Sequence, residues 1–128
     1  MNVTKKFGTR RGKKRLLYDD GDGVMLNGTL TEPQYFYIDT FENKSGVKGR
    51  GKRLLCYVIN DIMQNHPDVT FIQLNSTPES QEPFSSQAFA NQQLRLNKYY
   101  EGLGFVLFDS EVNDFVGDVA TVHRNACG

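Results

Sequence analysis

The chain has 128 residues, 38% of them hydrophobic, which is enough for one compact domain with a single core and little more. No apolar run approaches the roughly 20 residues of a membrane-spanning helix, and residues 1–17 lack the apolar block of a signal peptide. Cys56 and Cys127 are too few for a disulfide framework or a zinc site, so we expect a soluble, cytoplasmic protein in which Cys56 is a small core residue.

The net charge is zero, but the charge is unevenly distributed. Residues 1–53 contain 12 Lys and Arg against 6 Asp and Glu, whereas residues 54–128 contain 3 against 9. We expect residues 1–15 to form a basic mobile arm or an exposed edge strand, ahead of a single domain at residues 16–128. Seven basic residues lie in this segment: Lys5, Lys6, Arg10, Arg11, Lys13, Lys14 and Arg15.

The first predicted strands flank a turn. Residues 16–18 and 24–30 are apolar runs, and the acidic, glycine-rich residues 19–23 between them are typical of a turn, which predicts an antiparallel pair. Residues 31–34 then break the chain. Residues 35–41 combine aromatic and β-branched side chains and are predicted to form a central strand.

An amphipathic helix and another strand are predicted to follow. Apolar residues recur at the three-and-four spacing of one helical face, at Leu54, Leu55, Val58, Ile59, Ile62 and Met63. Residues 65–68 end this helix, and residues 69–74 form a strand. An apolar strand after a crossover helix favours parallel pairing with the strand at 35–41.

The remaining chain is predicted to contain one helix and two strands. Residues 75–87 are rich in Ser, Pro and Gln and indicate a loop, either a lid or a surface insertion. Strands are expected at residues 105–108 and 115–122. The helix is expected at residues 88–103, with these candidate buried residues: Phe89, Leu94, Leu96, Tyr99, Tyr100 and Leu103.

The segment between the central strand and the first helix is rich in glycine and basic residues. It consists of Gly46, Val47, Lys48, Gly49, Arg50, Gly51 and Lys52. Glycines allow a sharp turn, and the free N–H groups at a helix start attract phosphate together with the helix dipole. The segment therefore predicts a ligand that carries a phosphate or diphosphate.

Two kinds of phosphate loop fit this segment to different degrees. The spacing of Gly46, Gly51 and Lys52 matches most of a Walker A loop, but Arg53 stands where that loop needs a Ser or Thr for magnesium. The missing hydroxyl argues against a nucleotide hydrolase.

A second motif changes the interpretation. The loop, the helix that it opens, the next strand and then the run Tyr-Tyr-Glu-Gly-Leu-Gly-Phe at residues 99–105 resemble the GNAT superfamily of N-acetyltransferases. The resemblance covers about residues 35–108. It implies an α/β fold with a mixed, mostly antiparallel sheet, a central splayed parallel strand pair and two main helices. It also implies that acetyl-CoA binds in the slot where the two parallel strands separate.

The resemblance implies roles for individual residues. Tyr100 aligns with the tyrosine that protonates the departing thiolate of coenzyme A, and Asp39 and Glu42 are the candidate bases for the acceptor amine. The sequence leaves open which of these two carboxylates faces the slot, since residues three apart on a strand point to opposite faces. The implied cofactor-binding residues are Phe41, Glu42, Gly46, Val47, Lys48, Gly49, Arg50, Gly51, Lys52, Gln93, Asn97 and Tyr100.

The sequence also departs from the family pattern. Gly46 stands where the loop usually begins with Arg or Gln, and Gln93 aligns with an Asn that contacts pantetheine. The N-terminal part is too short for the usual acceptor-binding helices. Acceptor recognition is therefore expected from the basic segment, from the loop at 75–87 or from a partner subunit.

The expected function is acetyl-CoA-dependent transfer of an acetyl group directly to a primary amine, on a protein lysine, an N-terminus or a small molecule. No metal and no membrane contact are expected. Two alternatives stay open: a catalytically inactive binding protein of the same fold, and binding of nucleic acid or an acidic partner through Lys5 to Arg15.

Overall fold

The computed structural model describes residues 2–31, 34–78 and 80–128. Glu32 and Pro33 of the predicted break, Glu79 of the predicted loop and Met1 lie outside these ranges. The elements in chain order are β1 (Thr4–Arg10), β2 (Lys13–Asp19), β3 (Val24–Thr31), β4 (Tyr35–Asn43), α1 (Arg50–Asn65), β5 (Phe71–Asn75), α2 (Gln87–Gly102), β6 (Val106–Asp109), β7 (Asp114–Asp118) and α3 (Val119–Cys127).

The strands form one sheet with the order β1-β2-β3-β4-β5-β7-β6. Among the strands of the described residues, only β4 and β5 pair in parallel, with α1 as the crossover between them, and the other neighbours are antiparallel. The predicted fold class, a mostly antiparallel mixed sheet with one parallel pair, is confirmed. The predicted antiparallel pairing of β2 with β3 is also confirmed.

The core lies between the sheet and α1. The apolar face that the sequence predicted for α1 is buried, apart from Met63, whose side chain is 44% exposed. It packs against buried strand residues, among them Leu16, Tyr18, Leu26 and Phe36. Close packing also requires a glycine at position 28, because a Cβ atom there would clash with the Phe36 ring.

The end of the chain differs from the prediction. The strand expected at residues 115–122 stops at Asp118, and α3 begins at Val119. The Asp118 side chain accepts a hydrogen bond from the Thr121 N–H group at 2.9 Å, which caps the helix. Val119, Val122 and Ala126 are buried at helical spacing. The strand prediction was therefore wrong beyond Asp118, where the sequence contains an N-cap residue and apolar residues at helical spacing.

The two cysteines are bonded to each other. The disulfide between Cys56 and Cys127 joins α1 to α3, with 5.1 Å between the Cα atoms. The prediction that Cys56 is an unpaired core residue was wrong, because residues 71 apart in sequence are brought together by the helix that the sequence analysis missed.

The helix α2 matches its predicted position, but not all of its predicted burial. Tyr100 and Leu103 are buried, whereas Leu94 is 55% exposed and Tyr99 is 41% exposed. Residues 76–78 and 80–86, which lead into α2, form neither helix nor strand, as predicted. Across the described ranges, every helix is too short or too polar to span a bilayer.

Candidate active site

A cleft opens where β4 and β5 separate. Their pairing runs from Tyr35 with Phe71 to Ile38 with Leu74, and β4 continues to Asn43 without a β5 partner. Beyond Ile38 the backbone of β4 on that side has no partner strand within the described residues. The predicted splay of the parallel pair is thus present.

The cleft connects the glycine-rich loop with α2. It comprises three adjoining cavities that share Phe41 and Tyr100, and the cavity at the loop end has a volume of about 470 Å³. At this loop end it is lined by Lys48, Gly49, Gly51 and Lys52, and at the opposite end by Asp39, Leu74 and Asn75. The two sequence motifs, the loop and the tyrosine of α2, therefore lie on one cleft.

The side chain of Asn43 organises the loop. Its Nδ2 atom donates to the Val47 carbonyl at 3.1 Å, and its Oδ1 atom accepts from the Ser45 N–H group at 3.1 Å. Gly49 then adopts φ = 91° at the start of α1, a left-handed conformation that favours glycine.

Four backbone N–H groups at the start of α1 have no protein acceptor within the described part of the chain: those of Lys48, Gly49, Gly51 and Lys52. Two neighbouring amides of the loop are engaged. The Val47 N–H group donates to Ser45 Oγ at 3.1 Å, and the Arg50 N–H group is directed to the Val47 carbonyl at 3.4 Å. A compact set of free donors thus faces the loop end of the cleft.

The side chain of Arg50 is directed away from the loop. Its Nε atom lies 3.1 Å from Asp20 Oδ2, and its guanidinium also pairs with Asp22 at 2.6 Å. The guanidinium therefore neutralises carboxylates of the β2–β3 turn. Lys48 and Lys52 remain as the lysines that line the loop end of the cleft.

Tyr100 lies at the centre of the cleft and is only 7% exposed. Its ring packs edge-on against Phe105 at 5.8 Å between ring centroids, and it also contacts Phe115 and Tyr99. Burial, with a smaller contribution from Tyr99, raises the pKa of Tyr100 well above its usual value. The phenol is consequently neutral at physiological pH and can act as a hydrogen-bond donor.

Both candidate carboxylates line the cleft, but their surroundings differ. Asp39 is the extra residue of a β-bulge in β4, between the pairs Gly28–Ile38 and Asn27–Thr40. Its carboxylate accepts a hydrogen bond from Thr29 at 2.7 Å and pairs with two guanidinium groups, of Arg10 at 3.6 Å and Arg15 at 3.8 Å.

Glu42 borders the two cavities that extend along β4 from Tyr100. Its Oε2 atom lies 3.4 Å from Lys44 Nζ, a side chain that is 69% exposed. A carboxylate in this position has access both to the cleft and to solvent.

Gln93 and Asn97, which the resemblance implies as cofactor-binding residues, take part in a polar network. Gln93 Nε2 donates to the Ser76 carbonyl and to Asn97 Oδ1, both at 2.8 Å. Asn97 Oδ1 also accepts from the buried Ser76 hydroxyl at 2.8 Å, and its Nδ2 donates to Asn113. The network fixes α2 to the end of β5, and neither residue lines the cleft.

Four residues of α2 face the cleft, and none of them was predicted to belong to the site: Gln92, Arg95, Leu96 and Tyr99. Leu96 and Tyr99 were predicted to be buried instead. Their spacing of three, four and seven residues, extended to Tyr100, is that of one helical face. This period was the signal that could have identified them. Nowhere in the described ranges do three or more His, Cys, Asp or Glu side chains converge as a metal site would require.

No protein-family model and no curated protein matches the sequence. Similar solved structures exist. The anti-CRISPR protein AcrVA5 aligns over 91% of this chain and 98% of its own, with a TM-score of 0.57 and 15% identity. The aminoglycoside 6'-N-acetyltransferase from Enterococcus faecium aligns over 87% of this chain and 75% of its own, with a TM-score of 0.55 and 14% identity. The chain has a GNAT-like fold. At these identities the likeness concerns the fold alone. The function therefore depends on the residues of the cleft.

Proposed function

We propose that this protein is an acetyl-CoA-dependent N-acetyltransferase that transfers the acetyl group directly to a primary amine. The observation that carries the proposal is the common cleft of four free loop amides and Tyr100, at the point where β4 has no β5 partner. The aminoglycoside acetyltransferase with a similar fold supports the same class of reaction.

The residues present fit coenzyme A. The free amides of Lys48, Gly49, Gly51 and Lys52 suit the two negative phosphates, and the lysine side chains add positive charge. The edge of β4 that faces away from β3, beyond the last β5 pair at Ile38, offers donors and acceptors to the two amides of the pantetheine arm. Arg50 has no phosphate-binding role in this proposal, because Asp20 and Asp22 occupy its guanidinium.

When bound, acetyl-CoA supplies an acetyl group activated as a thioester. In the transfer, a carbon–nitrogen bond forms, the carbon–sulfur bond breaks, and the sulfur gains a proton. Tyr100 gives the sulfur this proton from its neutral phenol and regains one from solvent. Glu42 takes a proton from the attacking amine and releases it to solvent. Asp39, held by Thr29 and two arginines, is a positioning residue rather than the base.

Two measurements distinguish the transferase from an inactive binding protein. Thermal unfolding is followed with acetyl-CoA, with coenzyme A and with ATP plus magnesium, because a ligand that binds only the folded form raises its stability. Release of coenzyme A is then measured with a panel of amines. We expect stabilisation by acetyl-CoA and amine-dependent thiol release. Stabilisation without release from any amine would favour the binding protein, and stabilisation by ATP alone would contradict the proposal.

The double variant Lys48→Gln/Lys52→Gln tests the loop. It should weaken acetyl-CoA binding while the melting temperature of the free protein stays unchanged, because both side chains lie at the cleft and form no ion pair within the described ranges. Lys98→Gln, an exposed change on α2, is the matched control.

A further inference from the structure

The basic segment of the sequence forms a hairpin from β1 and β2. Arg11 and Gly12 form its tip, with φ values of 51° and 77°. Arg10 lies directly opposite Lys13 across the hairpin. Like charges in this arrangement destabilise a strand pair, so the charge at the tip does not serve the stability of the hairpin.

Most of this charge is unpaired. Lys6, Arg11, Lys13 and Lys14 are exposed and form no ion pair in the part of the chain that the structure describes. Phe7, 62% exposed, has Lys14 Nζ 5.0 Å from its ring centre, on the face of the hairpin opposite to Lys6 and Lys13. The hairpin thus carries solvated positive charge on both faces and at its tip.

The hairpin tip stands beside one end of the cleft. Arg10, the last residue of β1, has its guanidinium 3.6 Å from the carboxylate of Asp39. Asp39 lines the cleft together with Leu74 and Tyr100, at the end away from the glycine-rich loop. A molecule that enters the cleft at this end to meet Tyr100 therefore passes the basic tip.

We propose that the β1–β2 hairpin docks an acidic segment of a protein acceptor, so that the preferred substrate is a lysine or N-terminal amine with Asp or Glu residues close to it in sequence. This inference rests on the proposed function and names its acceptor. Because the tip stands beside the cleft and an extended chain advances about 3.3 Å per residue, the acidic residues that reach the tip lie a few positions from the acceptor amine.

The chemistry of the acceptor favours a polypeptide over a nucleic acid. Transfer to nitrogen needs an amine with a free lone pair, which lysine side chains and N-termini supply after loss of a proton. The amino groups of nucleobases are conjugated with the ring and are weak nucleophiles, and the phosphodiester backbone has none. Electrostatic docking also accelerates encounter with an anionic partner and weakens as salt screens it.

The test uses two peptides that differ only in charge, each with one central lysine and a blocked N-terminus. In the first, Glu occupies the second to fourth positions on both sides of the lysine, and in the second, Gln replaces every Glu. We expect the KM of the wild-type protein to be at least about tenfold lower for the Glu peptide in 50 mM salt, and this advantage to shrink in 500 mM salt.

Two double variants assign the effect to the hairpin. Arg11→Gln/Lys13→Gln should remove most of the preference for the Glu peptide and move the KM for the Gln peptide less than about twofold. Lys98→Gln/Arg124→Gln, which removes the same charge from exposed positions of α2 and α3, should keep the preference. Equal KM values for the two peptides with the wild-type protein, or equal loss in both variants, would overturn the inference.

Binding of the fluorescently labelled Glu peptide, measured by polarisation, separates this inference from the proposed function. Hairpin-dependent binding without acetylation of any amine would contradict the transferase and retain the docking surface. Acetylation of both peptides without preference would retain the transferase and remove the docking surface. A labelled single-stranded or duplex DNA that binds through the hairpin, with no preference for the Glu peptide, would replace the acidic protein by a nucleic acid.

Discussion

The Nε atom of Arg50 lies 3.1 Å from Oδ2 of Asp20, whose side chain is completely buried. The other oxygen of this carboxylate accepts hydrogen bonds from the N–H groups of Asp22 at 2.7 Å and Val24 at 3.1 Å. Burial works to raise the pKa of Asp20, but these N–H groups and Arg50 outweigh it, so the pKa lies below its usual value. The first residue of α1 is thus joined to the turn between β2 and β3.

Arg50→Met should lower the melting temperature by more than about 5 °C, because it leaves a buried carboxylate without its cation. Lys52→Met, two residues along the same helix and exposed, should leave the melting temperature unchanged and weaken acetyl-CoA binding. Thermal unfolding and calorimetric titration distinguish the two. Equal melting temperatures for both variants would mean that the Arg50–Asp20 contact does not stabilise the fold.

Asp61 should contribute to acid unfolding. Its carboxylate is bonded to the Tyr18 hydroxyl at 2.6 Å and paired with Lys5 at 2.6 Å. Burial favours a higher pKa for Asp61, but hydrogen bonds from Lys5 and Tyr18 lower it below the usual value of about 3.9. Its stabilisation is therefore fully present above the usual value and is lost as the pH falls through the lower, folded-state pKa.

In urea unfolding at pH 7, Asp61→Asn should be about 1–3 kcal/mol less stable than the wild type, and this difference should decrease below about pH 4. Asp68→Asn, an exposed carboxylate after α1, is the control and should change little at either pH. A difference between Asp61→Asn and the wild type that is constant down to pH 2 would contradict the assignment.

Two glycines of the loop should respond differently to alanine. Gly49→Ala places a Cβ atom on a residue with φ = 91° and should cost about 1–2 kcal/mol and weaken acetyl-CoA binding. Gly51→Ala meets Phe41 at an ordinary 3.5 Å inside α1, and the better helix propensity of alanine should leave stability equal or higher. Urea unfolding of the two variants measures the contrast, and equal destabilisation would argue against a strained Gly49.

Tyr100→Phe should lower kcat at least about tenfold and change the Kd for acetyl-CoA less than about twofold, because only the hydroxyl that donates to the sulfur is removed. Tyr99→Phe is the matched control on the same helix, at a side chain that is 41% exposed. Unchanged kcat in Tyr100→Phe would remove its role as the donor to the departing sulfur.

Loss of the disulfide should destabilise the protein. The bond joins Cys56 to Cys127, which are 71 residues apart in sequence. Removal of such a bond lowers the free energy of unfolding by about 2–4 kcal/mol. Cys56→Ser/Cys127→Ser should therefore unfold at lower urea concentration than the oxidised wild type. The reduced wild type should resemble the double variant, and identical midpoints for all three would show that the bond adds no stability.

The parallel strand pair could be predicted because the aromatic and β-branched run at 35–41 and the apolar spacing of α1 are local patterns. A crossover helix between two strands then favours parallel pairing. That the glycine-rich loop and Tyr100 lie on one cleft was implied by the resemblance to the GNAT superfamily and not by local patterns. The helix α3 was missed because the valines at 116, 119 and 122 favour a strand by local propensity, whereas the signal for the helix is the cap at Asp118.

The partners of individual side chains could not be predicted from local patterns. Arg50 pairs with a carboxylate 30 residues earlier, and Gln93 bonds to Ser76, 17 residues earlier, across the start of a loop. The motifs predicted that both residues bind the cofactor, and that stays a prediction. Their protein partners lie far away in sequence, so local patterns could not reveal them.

The network of Ser76, Gln93, Asn97 and Asn113 has a mechanical consequence. Since β4 and β5 stop pairing at Ile38 and Leu74, α2 is positioned at the cleft by this network together with the packing of Tyr100 against Phe105 and Phe115. A change in the width of the cleft is therefore a shift of α2 against the β5 side of the sheet. Such a shift requires no unfolding of the sheet.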